Sequence, residues 1–371
     1  MNDFDVIIVG AGMVGLTVAN LFKDTRLRVA LIDKSESSAK TLATGLDEPK
    51  FDSRVSALSS SSRKILSRLG AWTLIEQQRY CDLREMYVWD ADGTGSITFS
   101  AEDLAAPRLG TIVENSLVID ALTQCLESTC NVELIRPCSV DALEEIDDWG
   151  LLNTAAQGVL RARLVIAADG VNSKIRELKS FEVREWEYNH NAIVSAVKTA
   201  KPHQKIALQR FMPTGPLALL PLSSGVNDSC QIYSSIVWSA EPAYAESLMD
   251  MTDKDFCRQL SKCSESRFGE VIDCGARQIF PLKQRHSVNY SKDRIVLVGD
   301  AAHSIHPLAG QGANLGFLDA EALTSEIKKG LNVGREVFDP VTMDRYQRAR
   351  KGHNLGTVSY THLTLPTKRI V

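Results

Sequence analysis

The chain has 371 residues, of which 44% are hydrophobic and 24% charged, an ordinary composition for a globular protein that can bury a sizeable core. Its formal net charge of -4 provides no basic surface for nucleic acid, so we exclude that partner. Its 8 cysteines form no C-x-x-C pair and no zinc-binding pattern, which predicts reduced thiols, a cytoplasmic protein and no metal site.

The first predicted elements form a β-α-β unit. VIIV at 6–9 predicts a strand, GAGMVG leads into a helix that reaches Phe22, and RVALID at 28–33 predicts the second strand. Because the chain enters a strand almost at once, we expect no signal peptide. No apolar run approaches the ~18 residues that span a bilayer, so we expect membrane contact, if any, at the surface alone.

Helices and strands continue to about residue 168. Residues 34–53 predict a loop, and within residues 84–99 the turn DADG separates two strand-like runs. The other predicted elements of this part are helices at 59–69 and 115–128 and strands near 131–135, 150–154 and 163–168.

The pattern changes between residues 181 and 282. Strand-like runs such as NAIVSAVKT and CQIYSSIVW alternate with turns there, and one clear helix is predicted near 252–263. The β-α pattern returns at Arg294, with helices predicted at 313–326 and 340–356. A mainly antiparallel domain is therefore predicted to be inserted into a discontinuous nucleotide-binding domain.

These changes set the predicted boundaries. The nucleotide-binding domain covers 1–180, with a small β excursion near 84–99, and resumes at 283–357, while the inserted domain covers 181–282. The last segment, 358–371, contains YTHLTLPTKRIV, which lacks a helical period. We predict that this segment is a foreign or unstructured tail.

Gly10, Gly12 and Gly15 form G-x-G-x-x-G between the first strand and the first helix. This context predicts a dinucleotide site, because the first glycine permits the tight turn, the second admits a pyrophosphate and the third allows close helix packing. Asp33, at the end of the second strand, can accept hydrogen bonds from ribose and would repel a 2′-phosphate. The ligand is then FAD or NAD, and the alternative interpretation is a purely structural turn.

Two later strands also end in acidic motifs. LVIAADG at 164–170 places Asp169 at a strand end, and VLVGDAAH at 296–303 places Asp300 at another. Asp169 alone is typical of a residue that caps a short helix. Because the ends of parallel strands meet at one edge of a sheet, three such motifs favour FAD, which is long enough to contact them all.

GAGMVG, ADGVNSKIR and GDAAHSIHPLAGQGANLGFLDAE together resemble the flavin-dependent aromatic hydroxylases, most closely their ubiquinone-biosynthesis branch. The signature H-P-x-A-G-Q-G-x-N-x-G-x-x-D of that branch runs here from His306 to Asp319, and the resemblance covers residues 4 to about 356. It implies an α/β fold like that of p-hydroxybenzoate hydroxylase, in which a Rossmann-like FAD-binding domain carries an inserted, mainly antiparallel β substrate domain.

The resemblance also implies the site residues. The loop from Gly310 to Asn314 would lie along the flavin ring, and backbone N–H groups at the start of the helix at 313–326 would stabilise negative charge on reduced flavin. Pro221, in TGPLALLPL, would lie in the substrate wall near the reacting centre. The residues implied to bind FAD are Gly10, Gly12, Met13, Val14, Gly15, Asp33, Arg54, Asp169, Gly299, Asp300, Pro307, Gly310, Gly312, Ala313 and Asn314.

No acid or base is assigned as essential. His303, His306 and Pro307 are candidates for a catalytic role, and the alternative is that they only shape the loop and the flavin pocket.

The implied reaction is hydroxylation of a polyprenylated phenol. NAD(P)H would reduce FAD, O2 would add to give a flavin C4a-hydroperoxide, and the substrate domain would exclude water. The lipid-tailed substrate implies transient contact with the inner-membrane surface or with a ubiquinone-biosynthesis complex. The alternatives are an FAD-dependent reductase or oxidase on another apolar substrate and a non-catalytic flavin-binding scaffold.

Overall fold

A mostly parallel sheet and a larger, mainly antiparallel sheet organise the chain. The computed structural model describes residues 2–36, 49–93, 95–226, 228–304 and 311–364.

The strands, numbered in chain order, are β1 (Asn2–Val9), β2 (Val29–Ile32), β3 (Val55–Leu58), β4 (Cys81–Leu83), β5 (Glu85–Asp90), β6 (Ser96–Ser100), β7 (Gly110–Glu114), β8 (Val132–Ile135), β9 (Val140–Ile146), β10 (Trp149–Thr154), β11 (Gly158–Ala167), β12 (Val183–Thr199), β13 (Ile206–Phe211), β14 (Leu217–Leu222), β15 (Tyr233–Ala240), β16 (Val271–Cys274), β17 (Gln278–Ser287), β18 (Ser291–Lys292), β19 (Ile295–Leu297) and β20 (His303–Ser304).

The helices are α1 (Met13–Phe22), α2 (Ser60–Leu69), α3 (Ala71–Glu76), α4 (Asn115–Gln124), α5 (Lys174–Leu178), α6 (Pro242–Asp250), α7 (Asp253–Cys263), α8 (Gln311–Asn332) and α9 (Pro340–Thr364), with a short 3-10 turn at Gly299–Ala301. Local sequence sets several of their ends. The Ser59 hydroxyl caps α2 by accepting from Ser62 N, and Gly70 ends this helix at a φ of 87°. Among the described helices, none is long and apolar enough to cross a membrane.

The first sheet has the order β18-β19-β11-β1-β2-β8, extended by the hairpin β9-β10 at β11. Strands β19, β11, β1, β2 and β8 run parallel. Every residue of β2 is buried, as expected for a parallel strand that is covered on both faces. Helices α1 and α8 pack against each other. The predicted β-α-β unit is therefore present, and the carboxyl ends of β1, β2, β11 and β19 meet at one edge.

The second sheet has the order β20-β17-β12-β15-β14-β13-β5-β6, with β16 beside β12. Its pairs are antiparallel except that of β13 with β5. Alternate residues of the central strands, including Ile236 and Trp238, pack with Phe256 and Leu260 of α7 in a separate hydrophobic core. The opposite face of these strands is left for a cavity.

Several elements differ from those predicted. Strands β5 and β6, predicted as an excursion of the nucleotide-binding domain, pair with β13 and so extend the second sheet. Strand β17 continues past the predicted boundary at 282, and helix α6 precedes the one helix predicted in this part. Helix α9 continues through residues 358–364 of the predicted tail, whereas 365–371 lie outside the described residues.

Candidate functional site

The Gly10–Gly15 turn joins β1 to α1 in the way that the spacing of its glycines predicts. Gly10 has a φ of 104°, and a Cβ atom there would lie 2.5 Å from the carbonyl oxygen of Ala168. A Cβ on Gly15 would lie 1.9 Å from the carbonyl oxygen of Gly10. A Cβ on Gly12 would meet no atom within 4 Å, so this glycine leaves open space at the start of α1. Free N–H groups at such a helix start favour a phosphate.

Asp33 supports this turn from the end of β2. Its Oδ2 accepts a hydrogen bond from Ala11 N at 2.6 Å, and its Oδ1 accepts one from Ser35 N at 2.8 Å. Asp33 and Gly12 both line a cavity of about 1230 Å³. Oδ1 also accepts from Ser35 Oγ, so the free lone pair for a ribose hydroxyl is on Oδ2, and the predicted contact is compatible with the bonds that hold the turn.

Asp169 fits both interpretations of its motif. Its Oδ2 accepts from Ile175 N at 3.2 Å, which caps α5 together with Ser173. Its Oδ1 is buried and has no hydrogen-bond partner among the described residues. An orphaned buried oxygen favours a further partner that the protein does not supply. Because a Cβ on Gly10 would lie 2.8 Å from Asp169 Cα, the first two motifs are in contact.

Arg176 joins the second motif to the third. Its buried guanidinium donates from Nη1 to Ala301 O at 2.9 Å and from Nη2 to Val171 O at 2.7 Å. The loop after β11 and the turn after β19 are therefore fixed to each other at the edge of the parallel sheet.

Gly299 and Asp300 form the 3-10 turn after β19. Gly299 has a φ of 59°, and its Cα faces Val14, because a Cβ there would lie 3.0 Å from Val14 Cγ2. Val14 therefore packs under the turn. Asp300 lines a second cavity, of about 650 Å³, and its side chain is exposed to that cavity. Desolvation by the protein atoms around it raises the pKa of Asp300 above its ordinary value, although His303 opposes this shift.

A buried network around Asp319 holds that turn. Asp319 accepts hydrogen bonds from Gly299 N at 3.1 Å, from His303 Nε2, from Arg350 Nε at 2.6 Å and from Asn354 Nδ2 at 3.2 Å. Burial alone would raise the pKa of Asp319, but His303 and Arg350 outweigh it and hold this pKa below its ordinary value. The carboxylate is therefore charged and links α8 and α9 to the turn.

This network also bears on the catalytic candidates. His303 is 1% exposed, its Nε2 is bonded to Asp319, and it is not among the described residues that line either cavity. Its geometry supports the structural alternative and not a catalytic base. His306, Pro307 and Gly310 lie outside the described residues.

Gly312, Ala313 and Asn314 lie in the first turn of α8, so the helix predicted from residue 313 begins earlier, at Gln311, and takes in part of the predicted 310–314 loop. Asn314 accepts from Ser59 N at 2.8 Å and from Ser62 Oγ at 2.7 Å, and its Nδ2 donates to Ala57 O at 2.8 Å. It thus fastens the start of α8 to α2 and β3. Gly312 lies beside Asp300, because a Cβ on it would be 3.8 Å from Asp300 Oδ1.

The two cavities share the lining residues Ser53, Arg54, Asn115 and Phe280. Arg54 is exposed at this junction, and its backbone oxygen accepts from Asn115 N at 3.0 Å. A long ligand could therefore extend from the cavity that holds Gly12 and Asp33 into the cavity that holds Asp300 and Asn314. It would pass Arg54 at the junction. Asn115 was not predicted as a site residue, although its position at the start of a predicted helix was a signal that could have identified it.

The 650 Å³ cavity is mainly apolar. One wall is the face of the second sheet that lies opposite α7. Most of the other lining residues come from the first 120 residues. Its apolar lining residues include Leu83, Met86, Phe99, Leu104, Leu109, Ala192, Val194, Ala207, Ala218, Leu220, Val237, Phe280 and Leu282. Sequence reasoning missed most of these, because the alternation that marks them shows a face of a strand without showing what that face contacts.

Pro221 is not one of the described residues that line this cavity. In β14 the cavity is lined by Ala218 and Leu220, whereas Leu217 and Leu219 pack in the core beside α7. Side chains alternate between the faces of a strand, so Pro221 shares the face of Leu219. The predicted strand is correct, and within it Leu220, the neighbour of Pro221, lines the cavity.

The geometry fits FAD. Three strand ends with open space at the start of α1, an orphaned carboxylate oxygen and two adjoining cavities suit one elongated cofactor. No group of His, Cys, Asp and Glu residues within the described ranges could hold a metal ion.

Comparisons with known proteins agree with this site. Residues 147–357 match the family described as "FAD binding domain". The chain is 34% identical over 350 residues to the 3-demethoxyubiquinol 3-hydroxylase of Escherichia coli (strain K12), a match that covers 94% of this chain and 86% of that protein. It is 32% identical over 397 residues to Ubiquinone biosynthesis monooxygenase COQ6, mitochondrial, of Danio rerio, with 95% and 80% covered.

Solved structures share the fold. PqsL of P. aeruginosa in complex with 2-aminobenzoylacetate has a TM-score of 0.81 at 20% identity, covering 99% of this chain and 97% of that chain. The p-nitrophenol 4-monooxygenase PnpA from Pseudomonas putida DLL-E4 has a TM-score of 0.77 at 20% identity, covering 97% and 88%. These likenesses confirm the predicted fold class and carry no further conclusion.

Proposed function

Because this chain belongs to the family of FAD-dependent monooxygenases that includes the ubiquinone-biosynthesis hydroxylases, we propose that it hydroxylates the aromatic ring of a polyprenylated phenol in ubiquinone biosynthesis. The predicted resemblance, enzyme class and cofactor are thereby confirmed. One observation carries the proposal: the nucleotide-sized cavity that holds Gly12 and Asp33 adjoins the apolar cavity at Arg54 and Asn115.

The residues that would hold FAD follow the two cavities. Gly12 and the start of α1 would receive the pyrophosphate, and Asp33 would bind the adenosine ribose. Asp300 would bind the hydroxyl-rich chain, with Arg54 at the junction. The first turn of α8, with Gly312, would place backbone N–H groups against the flavin ring.

FAD, when bound, supplies the electron transfer from NAD(P)H and the activation of O2 that no side chain can supply. The protein's own contribution is position and the exclusion of water. Phe280 and Leu282 of β17 and Val194 of β12 cover the apolar cavity from the side of the second sheet. No acid or base is needed from His303, which is bonded inside the Asp319 network.

The substrate is a small molecule with a lipid tail. The apolar lining favours such a ligand, since a mainly hydrocarbon molecule gains free energy from leaving water. Phe99 and Leu104 line the cavity and are 47% and 67% exposed, and Ile97 beside them is 52% exposed. These residues support entry of the tail from a membrane surface, and we place the protein at the periphery of the inner membrane, where a ubiquinone-biosynthesis complex is its expected partner.

Labelled oxygen tests the reaction. Purified protein supplied with FAD, NAD(P)H, 18O2 and a short-tailed prenylated phenol should yield a product that is heavier by one labelled oxygen atom. A reductase or oxidase on the same scaffold would turn over without incorporating label, and a flavin-binding scaffold would bind FAD without substrate-stimulated turnover. Either outcome would remove the hydroxylase assignment.

A further inference from the structure

We propose that Gln209 recognises the ring hydroxyl of the substrate and thereby selects a neutral phenol. The inference rests on the proposed function and deepens it, because it concerns the end of the substrate that enters the 650 Å³ cavity. None of the sequence motifs includes this residue.

Gln209 lies on the cavity side of β13. Its direct neighbour across the sheet is Ala218 of β14, which in turn pairs with Val237 of β15, and all three line the cavity. The preceding residue, Leu208, belongs to the core that contains Trp238. The amide therefore belongs to the cavity wall and not to the outer surface of the sheet.

The Gln209 side chain is buried but has no partner. The residue is 6% exposed, and within the described parts of the chain no group forms a hydrogen bond with its amide. The amide atoms are not among the fully enclosed polar atoms without a partner, so the amide reaches the open space of the cavity. An amide that no protein group pairs, on an otherwise apolar wall, is explained by a partner that arrives with the ligand.

The surroundings define that partner. Among the cavity-lining residues of β12, β13, β14 and β15, Gln209 and Ser235 carry polar side chains and none carries a charge. An amide both donates and accepts, which matches a hydroxyl group. The cations that line the cavity are Arg54, at its junction with the other cavity, and Lys283 of β17, which is paired with Glu187. A carboxylate beside Gln209 would therefore find no cation on these four strands, and its transfer there would be unfavourable. The wall therefore suits a phenol that has no acidic group at this end.

A ligand comparison tests the role of Gln209. The FAD-loaded wild type should bind a short-tailed prenylated phenol roughly 10-fold to 100-fold more tightly than the corresponding O-methyl ether, since the ether cannot donate. Gln209→Leu should reduce this preference to less than about 3-fold, mainly by weakening phenol binding. Calorimetric Kd values measure binding, and the ratio of kcat/KM values for the two compounds provides a second measurement.

The matched control is Gln157→Leu, the same substitution at an exposed turn between β10 and β11, which should keep the wild-type preference. If Gln209→Leu does not retain FAD, Gln209→Met, closer in length, replaces it in the comparison. A wild-type preference that survives either substitution, or a wild type that does not distinguish the two compounds, overturns the inference. If the wild type prefers the phenol and Gln209→Leu loses that preference, but no labelled oxygen enters the product, the proposed function fails while the recognition role stands.

Discussion

Arg79 donates two hydrogen bonds to Glu114, from Nε to Oε2 at 2.6 Å and from Nη2 to Oε1 at 2.9 Å. Their side chains are only 14% and 3% exposed. Arg79 also donates to Lys50 O at 2.7 Å, and Glu114 Oε1 accepts from Asp52 N at 2.6 Å. The pair thus holds the segment that carries Arg54 into the junction of the two cavities.

Arg79→Met should destabilise the protein by about 3–5 kcal/mol, because it leaves the Glu114 carboxylate buried without its cation. Burial raises the pKa of Glu114 even with Arg79 in place, so the desolvation of this pair is already large. The double variant Arg79→Met/Glu114→Leu should therefore recover most of the loss. Urea unfolding measures the free energies, and FAD affinity should remain reduced in both variants. A double variant no more stable than Arg79→Met would contradict this account.

Substitutions at Gly12 and Gly15 should separate cofactor binding from folding. Gly12→Val should leave the free energy of unfolding of the apoprotein nearly unchanged, since a Cβ there meets no atom within 4 Å, but it should abolish the yellow colour of bound FAD. Gly15→Ala should instead destabilise the apoprotein by roughly 1–3 kcal/mol or more, because its Cβ would lie 1.9 Å from a carbonyl oxygen. Flavin released on denaturation and urea unfolding provide the two measurements. Retained FAD in a folded Gly12→Val protein would be incompatible with a pyrophosphate at this turn.

Asp319→Asn should weaken FAD binding by roughly 10-fold, although Asp319 lines neither cavity among the described residues. The neutral amide keeps the size of the side chain but leaves Arg350 buried without its anion, so the turn that presents Asp300 loses its support. Fluorescence titration of the apoprotein with FAD measures the change. Glu321→Gln, an exposed carboxylate in the same helix that pairs with Arg68, is the control and should bind FAD as the wild type does.

The sequence predicted the nucleotide-binding edge well because its motifs depend on local geometry. A glycine turn, an acidic strand end and a helix start need only the neighbouring residues to take their form, and Gly10, Gly12, Gly15 and Asp33 lie together as expected. The contact that each of these residues makes with FAD stays a prediction.

The cavity wall could not be predicted in the same way. Its residues come from strands far apart in the chain, such as β6, β13 and β17, and only their pairing shows which alternate positions share a face. Pro221 shows the consequence, since a shift of one residue along β14 moves a side chain from the cavity to the core. Gln209 belongs to no sequence motif. Its significance depends on its burial, its position on the cavity wall and the lack of a hydrogen-bond partner for its amide among the described residues, and only the fold shows these.

His286 should make the protein less stable as the pH falls from 6.5 to 4. Burial, with the nearby charge of His303, lowers the pKa of His286 to about 4, while in the unfolded chain it returns to 6.5. In that window the unfolded state binds the proton that the folded state refuses, so stability is lost as the pH falls, by up to about 3 kcal/mol. Burial also lowers the pKa of His203, which adds to the loss. The raised pKa of Glu114 acts in the opposite direction, so the contribution of His286 must be isolated as a difference.

The variant His286→Asn isolates the contribution of His286 to the pH dependence of stability. The asparagine cannot titrate, so the decrease in unfolding free energy between pH 7 and pH 4.5 should be smaller in the variant than in the wild type by about 2–3 kcal/mol. Asp319 should not interfere, because its pKa is lowered from 3.8 and its contribution is lost only below this range. Urea titrations of the apoproteins at both pH values measure the two decreases. The absolute stability of the variant does not enter the comparison, since the lost contact with Tyr290 affects both pH values alike. Equal decreases in the two proteins would mean that His286 is protonated in the folded state at pH 4.5.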